Sequence, residues 1–201
     1  ALQRALRRGL TPQRVPLELT QVDWLDAHGT PQPVWSETQP TLLEHPAALV
    51  CPPAPLGSSI TLHIHTPLRL QQQGQPLGIG QLTPRALVAT LARRVALLLE
   101  FHAGQSGWGE AARALTQQSQ SLRDTQHLHW FDWTRYSSRQ HQAMTLGGVL
   151  GHWTLEGEAA TLAQLWPWLW LGQWLHIGKN ASMGLGGYRL EPATQDSRKT
   201  A

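Results

Sequence analysis

The chain has 201 residues, of which 41% are hydrophobic and 14% charged. That is enough for one complete domain and part of a second, and too apolar for a disordered tail. The formal charge is only +3, carried by fourteen Arg against two Lys, Lys179 and Lys199. Arg offers a planar, permanently charged fork suited to phosphates and bases, yet GC-rich coding also favours it. The charge therefore permits nucleic-acid binding without demanding it.

In chain order, Leu2 and Leu6 stand at i, i+4 with Arg on the other face and Gly9 as the stop. This reads as the end of a helix with further sequence expected upstream. Val15, Leu17, Leu19 and Val22 give an imperfect strand pattern over 15–24, and the turn from Gly29 to Pro33 leads to a short strand at Val34 and Trp35. Residues 38 to 57 carry five prolines and read as a linker. A helix, a strand and a hairpin end do not close a domain, so 1–57 is expected to be the remnant of a preceding one.

From Ser58 the pattern sharpens. Ile60, Leu62 and Ile64 alternate with Thr61, His63 and His65, predicting a strand with one apolar and one polar face. Thr83 and Pro84 are an N-cap and a first-turn proline, and Leu87, Leu91, Val95 and Leu98 follow at helical spacing until Gly104. A further helix is expected at about 109–122, then strands near 128–136 and 143–155 joined by the polar run 137–142. A helix over about 161–175, with a kink expected at Pro167, precedes a glycine-rich loop and a last strand at 188–190. Trp166, Trp170 and Trp174 recur at helical spacing and are expected to pack on the sheet. Strand, helix, strand, strand, helix, strand is the α+β, ferredoxin-like (RRM-like) βαββαβ order. It is expected over 58–192, with 193–201 a polar tail. One face of such a sheet stays open, and it often serves as an RNA platform.

Cys51 is the single cysteine, which excludes an internal disulfide and a cysteine-based zinc site and makes a reducing cytoplasm the expected location. The apolar run Leu165 to Leu175 is too short to span a bilayer, and no membrane partner is expected.

Two segments could carry chemistry. In the first, His176 to Tyr188, Gly184, Gly186 and Gly187 permit positive φ. Successive amides can form an anion site, Lys179 adds a charge, Asn180 and Ser182 add hydrogen bonds, and Tyr188 offers a stacking ring. A glycine-rich turn needed only for packing would look the same. In the second, Phe131 to Gln140, Arg135 and Arg139 bracket Tyr136 and two hydroxyls, with Gln140 beyond, a mixture suited to phosphate grip and base stacking. His63 and His65 share a polar strand face, as do His127 and His129, and His176 adjoins the loop. His63 and His65 could suggest a metal pair, but the sequence brings no third ligand beside them, so neither metal nor cofactor is expected.

"HIGKNASMGLGGYRL", "WTRYSSRQ" and "LHIHTPLRLQQQGQPL" with a long helix after it resemble the C-terminal half of the CRISPR-associated repeat-processing endoribonucleases. The resemblance covers Ile60 to Leu190. It implies metal-independent cleavage of a precursor CRISPR RNA repeat by 2′-OH attack, giving a 2′,3′-cyclic phosphate. It further implies repeat RNA as partner, alongside other CRISPR effector or adaptation proteins. The RNA-binding residues it points to are Arg135, Tyr136, Arg139, Gln140, Lys179, Asn180, Ser182, Gly184, Gly186, Gly187, Tyr188, Arg189, His63 and His65. His176 is the catalytic candidate, although in this family the catalytic histidine commonly lies in the N-terminal domain. Two other readings stay open: a guide-RNA-binding subunit that never cuts, and the RNA-processing domain of a reverse transcriptase–integrase fusion.

Overall fold

The alternation that begins at Ile60 does build a strand, β3 (Ser59–Leu68), with Ile60, Leu62 and Ile64 buried and His63 and His65 exposed. The computed structural model describes residues 2–10, 13–26, 30–45, 50–132, 134–137 and 142–191, with only the backbone of 135–137 and 142–145. The chain divides into two units, Ala1–Pro52 and Pro53–Ala201.

In the first unit, α1 (Leu2–Arg7) is followed by an antiparallel hairpin of β1 (Gln21–Leu25) and β2 (Pro31–Ser36). The expected strand over 15–24 starts only at Gln21. Pro31 and Pro33 are tolerated in β2 because a two-stranded ribbon has free edges.

The second unit holds a four-stranded antiparallel sheet in the order β10 (Tyr188–Glu191), β3, β9 (Gly148–Glu156), β6 (Arg123–Phe131). Between β3 and β6 run α2 (Pro84–Ala103) and α3 (Trp108–Gln118), and α4 (Ala159–Leu175) links β9 to β10. Thr83 caps α2 as expected, its hydroxyl accepting the Ala86 amide at 3.2 Å, and Gly104 ends it in the left-handed region. Helix α4 runs through Pro167 without interruption, where a kink was expected. Trp166 and Trp170 are buried, whereas Trp174 is 43% exposed and rests edge-on against Trp170. The expected tryptophan stripe therefore packs for two of its three members.

The expected strands over 128–136 and 143–155 are each divided. Beyond β6 and before β9, the separate ladder of β7 (Thr134–Ser137) and β8 (Gln142–Thr145) forms. The break has a tertiary cause: Trp130 Nε1 donates to Asp132 Oδ1 at 2.8 Å, and this pair lies so close over Gly147 that a Cβ there would overlap it. A small hairpin of β4 (Gln71–Gln72) and β5 (Gln75–Pro76) also turns through Gln73 and Gly74 with positive φ at both.

The core lies between the sheet and its helices. Trp153 is fully buried, and its Nε1–H donates to Asp124 Oδ2 at 2.7 Å. Trp153→Ala removes this volume and strips a half-buried carboxylate of a donor, so we expect a loss of about 4 kcal/mol in urea unfolding. A loss below about 1 kcal/mol would contradict this packing. Among the described residues, no helix is long and apolar enough to cross a membrane.

Candidate nucleic-acid interface

The end of α4 sets the geometry of the loop. Arg94 of α2 donates from Nε to the Leu175 carbonyl at 2.8 Å, satisfying one of the helix's last acceptors. His176 then leaves the helix with φ 59° and ψ 163°, a region held almost only by glycine. Its amide still bonds Gly172, and the next amide, of Ile177, bonds the Gly186 carbonyl at 2.9 Å. Asn180 opens a 3₁₀ turn, Ala181–Met183, in the left-handed region, and Gly184 closes it with φ 86°.

The amides of this loop are mostly spent inside the protein. Lys179 donates to the Arg69 carbonyl, Gly186 to that of Pro67, Gly187 to the Thr66 hydroxyl, and Met183, Gly184 and Leu185 within the 3₁₀ turn. The expected anion site therefore cannot use them. Among the described residues, the amides of Asn180, Ala181 and Ser182 take no internal acceptor, and they lie at the tip where Lys179, Ser182 and Gly184 are exposed. Gly186 and Gly187 are buried packing positions. Tyr188 is not a stacking ring either. It is 1% exposed, its hydroxyl donates to the Leu169 carbonyl, and burial pushes its pKa well up.

The loop borders a cleft of about 530 Å³ against α2. Arg93, Arg94 and Lys179 line it with Gln71, Leu97 and Gly178. Arg93 and Lys179 are exposed, while Arg94 is half-buried by its bond to α4. Among the described residues, Arg93 and Lys179 are therefore the two cations of this cleft that carry no ion pair or side-chain hydrogen bond.

A second polar surface covers the open face of the sheet. Directly paired residues of an antiparallel sheet share a face, so Arg189, His63, His152 and His127 make a row across all four strands. The His63 and His152 rings stack 4.6 Å apart and 3° from parallel, and His152 Nε2 lies 3.0 Å from Glu191 Oε1. At the end of β3, the Cε1 atoms of His65 and His176 each lie 3.0 Å from the point a Gly187 Cβ would occupy, so the two rings flank that glycine. Burial first, then the charges of Arg189, His176 and His63, lower the His65 pKa, so His65 is neutral near pH 7. His176 Nδ1 lies 3.2 Å from the Leu185 carbonyl. A carbonyl only accepts, so in the neutral ring Nδ1 carries the hydrogen and Nε2 is free to take a proton.

The side chains of Arg135 and Tyr136, and all of Arg139 and Gln140, lie outside the described residues. Arg93, Arg94, His152 and Glu191 did not emerge from sequence reasoning as site residues. His152 and Thr154 alternate with the buried Trp153 and Leu155, a period of two that places them on the polar face.

The model of the family "CRISPR-associated endoribonuclease Cas6" matches residues 62–188, from inside β3 to the first residue of β10. The chain belongs to the Cas6 family. Among solved structures, the Thermus thermophilus Cas6 is similar at 16% identity with a TM-score of 0.51, covering 69% of this chain and 55% of that one. The same Cas6 in a product complex matches at 17% identity and a TM-score of 0.51, with 69% and 52% covered. A Cas6-RT-Cas1–Cas2 complex matches at 20% identity and a TM-score of 0.47, with 71% and 15% covered. At such identities the Thermus likeness shows a Cas6-like α+β fold. The chain spans about half the length of the Thermus protein. No match was found among curated proteins.

Proposed function

We propose that residues 58–192 are the ferredoxin-like RNA-binding domain of a Cas6 that binds and cuts the repeat of a precursor CRISPR RNA, with residues 1–57 the end of a preceding domain. The strand order supports the domain: in chain order the fourth, first, third and second strands lie side by side, all antiparallel. Leu91 of α2, Gly172 of α4 and Tyr188 of β10 meet on one side, which leaves the histidine-bearing side open. The observation that carries the function is the cleft: the start of the glycine loop, at Gly178 and Lys179, faces Arg93 and Arg94 of α2 across it. In this reading the cleft and the loop tip hold phosphates, while Arg189, His63 and His65 meet the RNA on the open face.

Cleavage needs no metal. The 2′-oxygen bonds to the adjacent phosphorus as the bond from phosphorus to the 5′-oxygen breaks, giving a 2′,3′-cyclic phosphate and a 5′-OH. One group takes the 2′-OH proton and another protonates the leaving 5′-oxygen. In this reading the neutral His65 takes the 2′-OH proton, and His176, protonated on Nε2 as well as Nδ1, gives its Nε2 proton to the leaving 5′-oxygen, while Arg189, whose charge reaches His65, suits the charge growing on the phosphate. The strained backbone of His176 supports this role, because such conformations gather at functional positions.

Incubating the full-length protein with its own repeat RNA in EDTA tests the reading. We expect cleavage with a 2′,3′-cyclic phosphate end. Bound but unbroken RNA would favour the non-cutting guide-RNA subunit, and absence of binding at moderate salt would sink both.

A further inference from the structure

We propose that His63, His152 and Glu191 form a binding site for a divalent transition cation of the zinc or nickel class on the open face of the sheet. The inference goes beyond RNA binding and cleavage and does not rest on them.

The three residues come from three different strands, β3, β9 and β10, and only the register joins them. His63 pairs directly with His152, and Glu191, paired with Thr61 two residues along and so on the same face, reaches diagonally across β3 to His152. One ligand atom from each lies within 4.8 Å of the other two, the only such group of three among the described residues. Two nitrogens and one carboxylate oxygen are a donor set that zinc accepts, leaving a position open. Two donors about 2 Å from one ion are at most about 4 Å apart. Closing the present spacing therefore takes only side-chain rotation, with the backbone held by the sheet. His152 Nε2 already lies 3.0 Å from Glu191 Oε1, so it is the His63 ring, now stacked on His152, that must swing a nitrogen toward the carboxylate. The side chains of His152 and Glu191 are 45% and 40% exposed, which leaves room on the solvent side for such a turn.

The donor set also predicts selectivity. Imidazole nitrogen suits zinc, nickel and copper, whereas magnesium demands oxygen ligands and gives up water reluctantly. Cys51, in the other unit, is the competing soft ligand to be controlled for.

Calorimetric titration of the untagged chain with zinc chloride, nickel chloride and magnesium chloride tests the site. We expect one zinc or nickel ion per chain and no heat from magnesium. His63→Ala and His152→Ala should each weaken zinc binding more than tenfold, Glu191→Gln about tenfold, and Cys51→Ser not at all. These positions are on an exposed face, and unchanged circular dichroism would confirm that the variants fold. Absent zinc binding, binding insensitive to the two histidine variants, or binding lost with Cys51→Ser would each overturn the proposal. RNA affinity measured in EDTA on the same proteins reports separately on the RNA-binding reading.

Discussion

Gly186→Ala is expected to cost the fold about 3 to 4 kcal/mol, while Gly184→Ala, two residues away in the same loop, costs about 1. Both glycines have positive φ, 71° and 86°, so each substitution carries backbone strain. What separates them is space. A Cβ at Gly186 would overlap the Ile177 carbonyl oxygen, and at Gly184 it would meet nothing within 4 Å. Nor can Gly186 move aside, because its carbonyl accepts the Ile177 amide at 2.9 Å and its amide donates to Pro67 at 3.0 Å. Urea unfolding of the two variants checks the difference. Equal losses would mean that the loop is not tied down at Gly186 as described.

The second large effect falls on catalysis. His176→Gly should lower the rate of repeat cleavage by about 10² to 10⁴ while leaving stability unchanged or raising it by up to about 1 kcal/mol. Glycine accepts φ 59° and ψ 163° without strain, which offsets the lost bond from Nδ1 to the Leu185 carbonyl. Alanine would leave the strain in place and confound folding with chemistry. Single-turnover cleavage and thermal unfolding of the same variant separate the two. Full cleavage would show that His176 takes no part in the chemistry, and a large loss of stability would refute the strain argument.

How much of this could be read from the sequence depended on the range of the interactions. The polar and apolar faces of β3, the Thr83–Pro84 start of α2 and its Gly104 stop are local signals, and all three stand in the structure. The ends of β6 and β9 were not legible, because Trp130 and Asp132 closing over Gly147 is a contact between strands. The loop misled in a related way. Its glycines advertise a backbone able to approach a ligand, yet at Gly186 and Gly187 the approaching groups are Ile177, Thr66 and the His65 and His176 rings. Tyr188 looked like an available ring until its place between α4 and β3 was known. The row of Arg189, His63, His152 and His127 is a property of register, which no single strand's pattern contains. Arg93 lay hidden for the opposite reason: on a long amphipathic helix, an exposed arginine is the ordinary outcome.

The proposed function depends on RNA phosphates lying in the cleft between α2 and the loop at Gly178 and Lys179. Arg93→Glu with Lys179→Glu tests it directly, since both side chains are exposed and neither donates a side-chain hydrogen bond among the described residues. Repeat RNA affinity measured against salt concentration should fall about 100-fold at moderate salt, and the slope of log affinity against log salt should flatten by about 1.5 to 2. Wild-type affinity with an unchanged slope would show that the repeat is held elsewhere.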